Sequence, residues 1–131
     1  MNIKLIGVAI FFLWSMLACQ HPENAHDLAP DEFSDLMAKT PQKIILDVRT
    51  NEEVARGIIK GAIQLDFMAP DFEQSLQKLD KTKPIFVYCA VGGRSGQTVE
   101  LMQQLGFQEV YNLQGGLDAW QHAGLPIAQW R

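Results

Sequence analysis

The sequence is poor in the residue types that most directly betray a cofactor. Its 131 residues include only two cysteines, Cys19 and Cys89, and three scattered histidines, His21, His26 and His122. No Cys/His spacing of the metal-ligand type occurs, so neither a metal nor another cofactor is expected. The formal net charge is −4 with no cluster of Lys and Arg along the chain, which speaks against nucleic acid as a partner. No apolar run reaches the ~20 residues that a comfortable bilayer span requires. Internal repeats and low-complexity tracts are also missing, and the length suits one compact domain rather than two.

What the chain does contain is sharply uneven. Lys4 is followed by an uncharged, mostly aliphatic and aromatic stretch over 5–18, the pattern of a secretory signal. Its last residues, Met16-Leu17-Ala18-Cys19, resemble the lipobox of bacterial lipoproteins. That resemblance implies a signal peptide over 1–18, cleavage before Cys19, and a lipid carried on Cys19. The segment 19–27 then becomes a polar tether, and the protein is expected in the cell envelope, lipid-anchored to a bacterial membrane and facing the periplasm or exterior. Loss of Lys4 with the signal changes the net charge from −4 to −5. Two other outcomes stay open, an uncleaved anchor helix and cleavage nearby that leaves Cys19 a free thiol. A Cys19–Cys89 disulfide is a further reading for an exported pair. With Cys19 lipidated, Cys89 is the sole remaining thiol.

From residue 28 onward, strand-like and helix-like segments alternate about five times. Pro30 with Asp31 and Glu32 opens a helix, since proline suits the first turn and acidic groups face its unpaired N–H groups. The apolar runs 44–48, 62–65, 84–88 and 110–113 predict short strands buried in a parallel sheet. Residues 51–55, 70–79, 95–105 and 117–122 predict helices, with Val99, Met102 and Leu105 forming an apolar stripe that Gly106 ends. The pattern predicts an α/β domain over 28–131, three layers deep, with a mainly parallel central sheet of about five strands flanked by helices.

The chemistry concentrates where the most strand-like run ends, at Cys89-Ala90-Val91-Gly92-Gly93-Arg94-Ser95. Ligands bind at the carboxyl ends of strands in such sheets. The glycines allow backbone N–H groups to turn inward, and the loop runs into a helix N-terminus, where negative charge is favoured. A thiolate at this place has a lowered pKa and is nucleophilic near neutral pH. Arg94 adds a permanent positive charge at the rim. Cys89 is therefore the candidate nucleophile, and Ala90, Val91, Gly92, Gly93, Arg94 and Ser95 are the candidate substrate-binding set. A buried, inert strand-end cysteine is the plain alternative. Arg49 and Glu53, four residues apart, are expected to pair across one helical turn, with Asp47 capping the loop after its strand. Trp120 is expected in the core.

Three segments in order resemble the rhodanese family over roughly residues 28–126. The first is Asp47-Val48-Arg49, Glu53 and Gly57-Ile58-Ile59-Lys60-Gly61-Ala62, with Ile58 where the family usually has histidine. The second is the loop from Cys89 to Ser95. The third is Tyr111-Asn112-Leu113-Gln114-Gly115-Gly116-Leu117 with Ala119-Trp120 and Ala123-Gly124-Leu125-Pro126. The resemblance implies a sulfurtransferase that moves sulfane sulfur from a donor such as thiosulfate or a persulfide to a thiophilic acceptor, through a persulfide on Cys89. The implied partners are a small sulfur-containing anion or a protein persulfide. A persulfide carrier with little free turnover is the alternative. Four residues separate Cys89 from Arg94. Related phosphatases and arsenate reductases have five there, so the resemblance favours sulfur over phosphate.

Overall fold

The computed structural model describes residues 25–131. Cys19, the signal expected over 1–18 and most of the expected tether lie outside these residues. Ten elements follow one another: β1 (Ala25–Leu28), α1 (Pro30–Lys39), β2 (Ile44–Asp47), α2 (Asn51–Val54), β3 (Ile63–Gln64), α3 (Phe72–Gln77), β4 (Ile85–Tyr88), α4 (Gly93–Gln104), β5 (Val110–Leu113) and α5 (Gly116–His122). The five strands form one sheet in the order β1-β5-β4-β2-β3, and every neighbouring pair is parallel. Helices cover both faces, which gives the expected three-layer α/β architecture.

Strand alternation divides the core in two. Phe86 and Tyr88 of β4 point to one face with Phe33 of α1, Val54 of α2, and Leu117 and Trp120 of α5. Ile85, Val87 and Cys89 point to the other, against Phe72 and Leu76 of α3 and Val99 and Met102 of α4. β4 is buried at all four positions, as an unbroken apolar run in a strand covered on both faces requires. Trp120 is 2 % exposed and donates its indole N–H to the Pro126 carbonyl at 3.0 Å.

Three elements depart from expectation. The chain enters the sheet before the anticipated domain start, since β1 pairs along β5 in the register Ala25↔Val110 to Leu28↔Leu113. The tether expected over 19–27 thus gives up its last three residues to an edge strand. Its middle residues are polar: His26 stacks on Tyr111, and Asp27 accepts from the Asn112 amide at 2.8 Å. An edge strand of that composition carries no apolar run to announce it. β3 shrinks to two residues, Ile63 and Gln64, at the opposite edge. α4 starts at Gly93, two residues before the expected onset.

Candidate active site

β4 ends by delivering Cys89 to the carboxyl edge of the sheet, 1 % exposed and turned toward the α4 side. The chain then bends through Ala90 and Val91 to Gly92, whose φ of +104° lies in the region that glycine alone adopts freely. α4 begins at the next residue, so Arg94 and Ser95 occupy its first turn. The bend is held from behind by α5. Leu117 N–H donates to the Cys89 carbonyl at 2.9 Å, and Asp118 N–H donates to the Ala90 carbonyl at 3.0 Å. Gly116 makes this approach possible, because a Cβ there would stand 2.5 Å from the Ala90 carbonyl and 2.6 Å from the Val91 nitrogen.

The sulfur sits among hydrogen-bond donors. Gly92 N–H donates to Sγ at 3.1 Å, and the Ser95 hydroxyl lies 3.3 Å from it. That hydroxyl is also 3.2 Å from the Gly92 carbonyl. It has one proton, so it can donate to the carbonyl while Cys89 is a thiol and to Sγ once Cys89 is a thiolate. Burial pushes the Cys89 thiol up. The Ser95 hydroxyl and the backbone N–H groups of Ser95, Gly92 and Val91 outweigh burial, and the group titrates below an ordinary cysteine. Of the expected binding set, Gly92 and Ser95 thus turn hydrogen-bond donors to the sulfur, whereas Ala90 turns its carbonyl to α5 and Gly93 starts the helix.

Arg94 has a different neighbour from the one expected of a cation at the rim. Its guanidinium makes a two-pronged pair with Glu53, at 2.8 Å on each oxygen. Arg94 beside it, and then the Thr50 N–H, hold the Glu53 carboxyl down from its ordinary 4.5 to about 2, against the opposing effect of burial. Glu53 reaches back as well to Thr50 N–H at 2.9 Å and closes the capping box of α2. One carboxylate therefore ties the short helix after β2 to the helix that opens at the sulfur.

The expected Arg49–Glu53 pair does not form. Arg49 lies 5 % exposed and grips Asp47 instead, with Nε 2.9 Å from Oδ1 and Nη2 2.7 Å from Oδ2. Asp47 is fully buried at the end of β2, and without this guanidinium its charge would have no compensation. Arg49 also donates to the Gly57 carbonyl at 2.7 Å and stacks over the Tyr88 ring at 5.7 Å. Asp47 does cap the loop, accepting from Arg49 N–H at 3.0 Å.

Next to the bend opens a cleft of about 400 Å³ that includes Arg56, Ala90, Val91, Leu117 and Ile127. Arg56 is exposed and has no ion pair among the described residues. Sequence reasoning passed over Arg56, the Ser95 hydroxyl and the Glu53–Arg94 pair. Only Gly115 and Gly116, at the start of α5, mark the turn that seats the bend.

Comparison with known proteins places this geometry in context. A family model described as "Rhodanese-like domain" matches residues 29–123. A sulfurtransferase from Allochromatium vinosum is 33 % identical over 102 residues, covering 78 % of this chain and 94 % of that one. A tRNA uridine(34) hydroxylase from Acaryochloris marina is 33 % identical over 92 residues, but this chain spans only 29 % of its length. Among solved structures, a rhodanese-related protein from Thermoplasma volcanium superposes with a TM-score of 0.70 at 26 % identity, covering 80 % of this chain and 99 % of that one.

Proposed function

The chain belongs to the Rhodanese-like domain family, and from that premise we propose that it transfers sulfane sulfur through a persulfide on Cys89. The observation that carries the reading is the ring of donors on one sulfur, Gly92 N–H at 3.1 Å and the Ser95 hydroxyl at 3.3 Å. A thiolate and a persulfide anion both need such donors, and an inert buried cysteine needs none.

In the first step the Cys89 thiolate attacks the outer sulfur of thiosulfate. A new S–S bond forms, the donor's S–S bond breaks, and sulfite leaves with the electron pair. In the second step a nucleophilic acceptor, such as cyanide or a thiol, attacks the terminal sulfur of the persulfide and Cys89 leaves as the thiolate. No net oxidation occurs, and no cofactor enters either step. Arg56 at the cleft is the cation available to an incoming anion, while Arg94 holds the helix that carries Ser95 and lends its charge from a distance.

The test is mass spectrometry of the protein after exposure to thiosulfate and to a protein persulfide. One added sulfur on Cys89, lost on adding cyanide and absent from Cys89→Ser, is the expected result. No added sulfur from any donor overturns the reading.

A carrier that exchanges sulfur with a protein partner is the second reading. It is favoured by Val91, an apolar residue 69 % exposed at the crown of the bend, and by the lack of any charge between Cys89 and Arg94. Turnover with thiosulfate far below the rate of transfer from a protein persulfide would decide for the carrier. The proposal includes the attachment: Cys19 carries a lipid that holds the domain at a bacterial membrane.

A further inference from the structure

The fold collects at one end what the sequence scatters. Seven lysines occur in the chain, and six fall within the described residues. Lys39 is the last residue of α1, and Lys43 immediately precedes β2. Lys60 lines the same groove as Lys43, next to β3. Lys78 closes α3, and Lys81 and Lys83 lead into β4. Because all strands are parallel, these positions share the amino-terminal edge of the sheet, the end opposite Cys89. None of the six forms an ion pair among the described residues. Lys43 and Lys81 donate only to backbone carbonyls, of Thr40 and Leu105. Among the described residues, the carboxylates placed at that end are Asp80 beside Thr82 and Glu109, which accepts from Tyr111. The opposite end carries Asp31, Glu32, Glu52, Asp71, Glu73 and Asp118. An acidic protein thus has one basic end.

β1 also starts at this basic end, so the chain arriving from Cys19 enters there. Residues 20–24 are all that separate Cys19 from Ala25, a reach of about 20 Å even if fully extended. Between Lys43 and Lys60 runs a groove of about 590 Å³ with Met37, Pro41, Ile44 and Ile63, the last 42 % exposed. Apolar side chains rimmed by ammonium groups suit the boundary between headgroups and acyl chains.

We propose that the lysine-bearing end of the domain docks on an anionic phospholipid surface, with the Cys89 bend facing away from it. The proposal rests on the membrane attachment proposed above. Electrostatic attraction of lysines to an anionic leaflet acts within about one Debye length, ~8 Å at physiological salt, so the domain must sit down on the surface rather than float at the tether's full reach.

The test is amine footprinting of the full-length chain as isolated from its host. It is incorporated in vesicles of phosphatidylcholine alone, or of phosphatidylcholine mixed with phosphatidylglycerol. Each lysine is read separately by mass spectrometry after a short pulse of a membrane-impermeant acylating reagent. Glu52→Lys supplies a reference amine at the far end. The six lysines should label about fivefold more slowly on the anionic vesicles, with recovery at high salt, while the reference is unchanged. Replacing Lys39, Lys60 and Lys83 by Gln should abolish the protection of Lys43, Lys78 and Lys81, and replacing them by Arg should keep it.

Equal rates on both vesicles, or protection of the reference amine instead, overturn the proposal. Protection in host membranes that is absent from the anionic vesicles assigns the face to an acidic protein and also overturns it. The same spectra weigh the N-terminal peptide. An unmodified Cys19 sinks the lipid anchor alone, and the lysine rates are then judged by the same criterion.

Discussion

At the residue scale, the sulfur's properties come down to one hydroxyl proton and a few amide hydrogens. Ser95→Ala removes the hydroxyl 3.3 Å from Sγ and leaves the backbone donors in place. A hydrogen bond to a charged group is worth roughly 1.5–3 kcal/mol, so without the hydroxyl the Cys89 thiol should titrate clearly higher than in the wild type. The pH profile of iodoacetamide alkylation reads this directly, and an unmoved profile would mean that the hydroxyl serves the Gly92 carbonyl only.

Glu53 makes a second prediction at the same scale. Its carboxyl is lowered to about 2 in the folded chain from an ordinary 4.5, chiefly by Arg94. A lowered carboxyl stabilises the fold above its unfolded pKa, and that contribution drains away as pH falls through the folded value. The pair is a quarter or more exposed, so its worth is about 1 kcal/mol. Urea denaturation should find Glu53→Gln weaker than wild type by this amount at pH 7, with the gap closing as pH falls toward 2.

At the scale of elements, the bend and α5 act as one unit. Gly116→Ala puts a methyl group 2.5 Å from the Ala90 carbonyl at a φ of +64°, so both overpacking and backbone strain oppose it. A loss of about 2–4 kcal/mol is expected, together with slower alkylation of Cys89, since the bend must move to make room. Gly124→Ala is the comparison, because it shares the positive φ, +74°, with open space around it. It should lose about 1–2 kcal/mol and leave the alkylation rate alone.

The same scale shows what a sequence can and cannot disclose. β2, β4 and β5 are legible because strands buried on both faces are mostly apolar, with the buried Asp47 and Asn112 as the exceptions. β1 is not, because His26 and Asp27 find partners across an edge. The start of α4 is hidden in the sequence because Gly93 and Arg94 give no helical signal of their own. The cysteine and its loop were legible as a linear motif. Glu53 and Arg94, 41 residues apart, were not. Local spacing favoured Arg49 for Glu53, but the fully buried Asp47 has the greater claim on that guanidinium.

At the scale of the whole molecule, stability should be graded from the middle of the sheet outward. β4 is paired on both sides and buried throughout, and β5 likewise has neighbours on both sides. β3 has two residues at one edge, and β1 has polar side chains at the other. Amide hydrogen exchange should therefore be slowest in β4 and β5, at the rate set by global unfolding, and fastest in β1 and β3. Exchange in β4 as fast as in the edges would mean that the two halves of the core come apart independently.

Five strands running the same way also give the molecule a compass bearing. An antiparallel sheet could put its entry point and its chemistry on one rim. Here every strand begins at the pole where the chain arrives and finishes at the pole where Cys89 stands. Moored by its leading segment as proposed, the molecule would hold the Cys89 sulfur outboard. Sulfur would have to come and go by couriers from the aqueous side, and carriers dissolved within the bilayer would pass beneath it without contact.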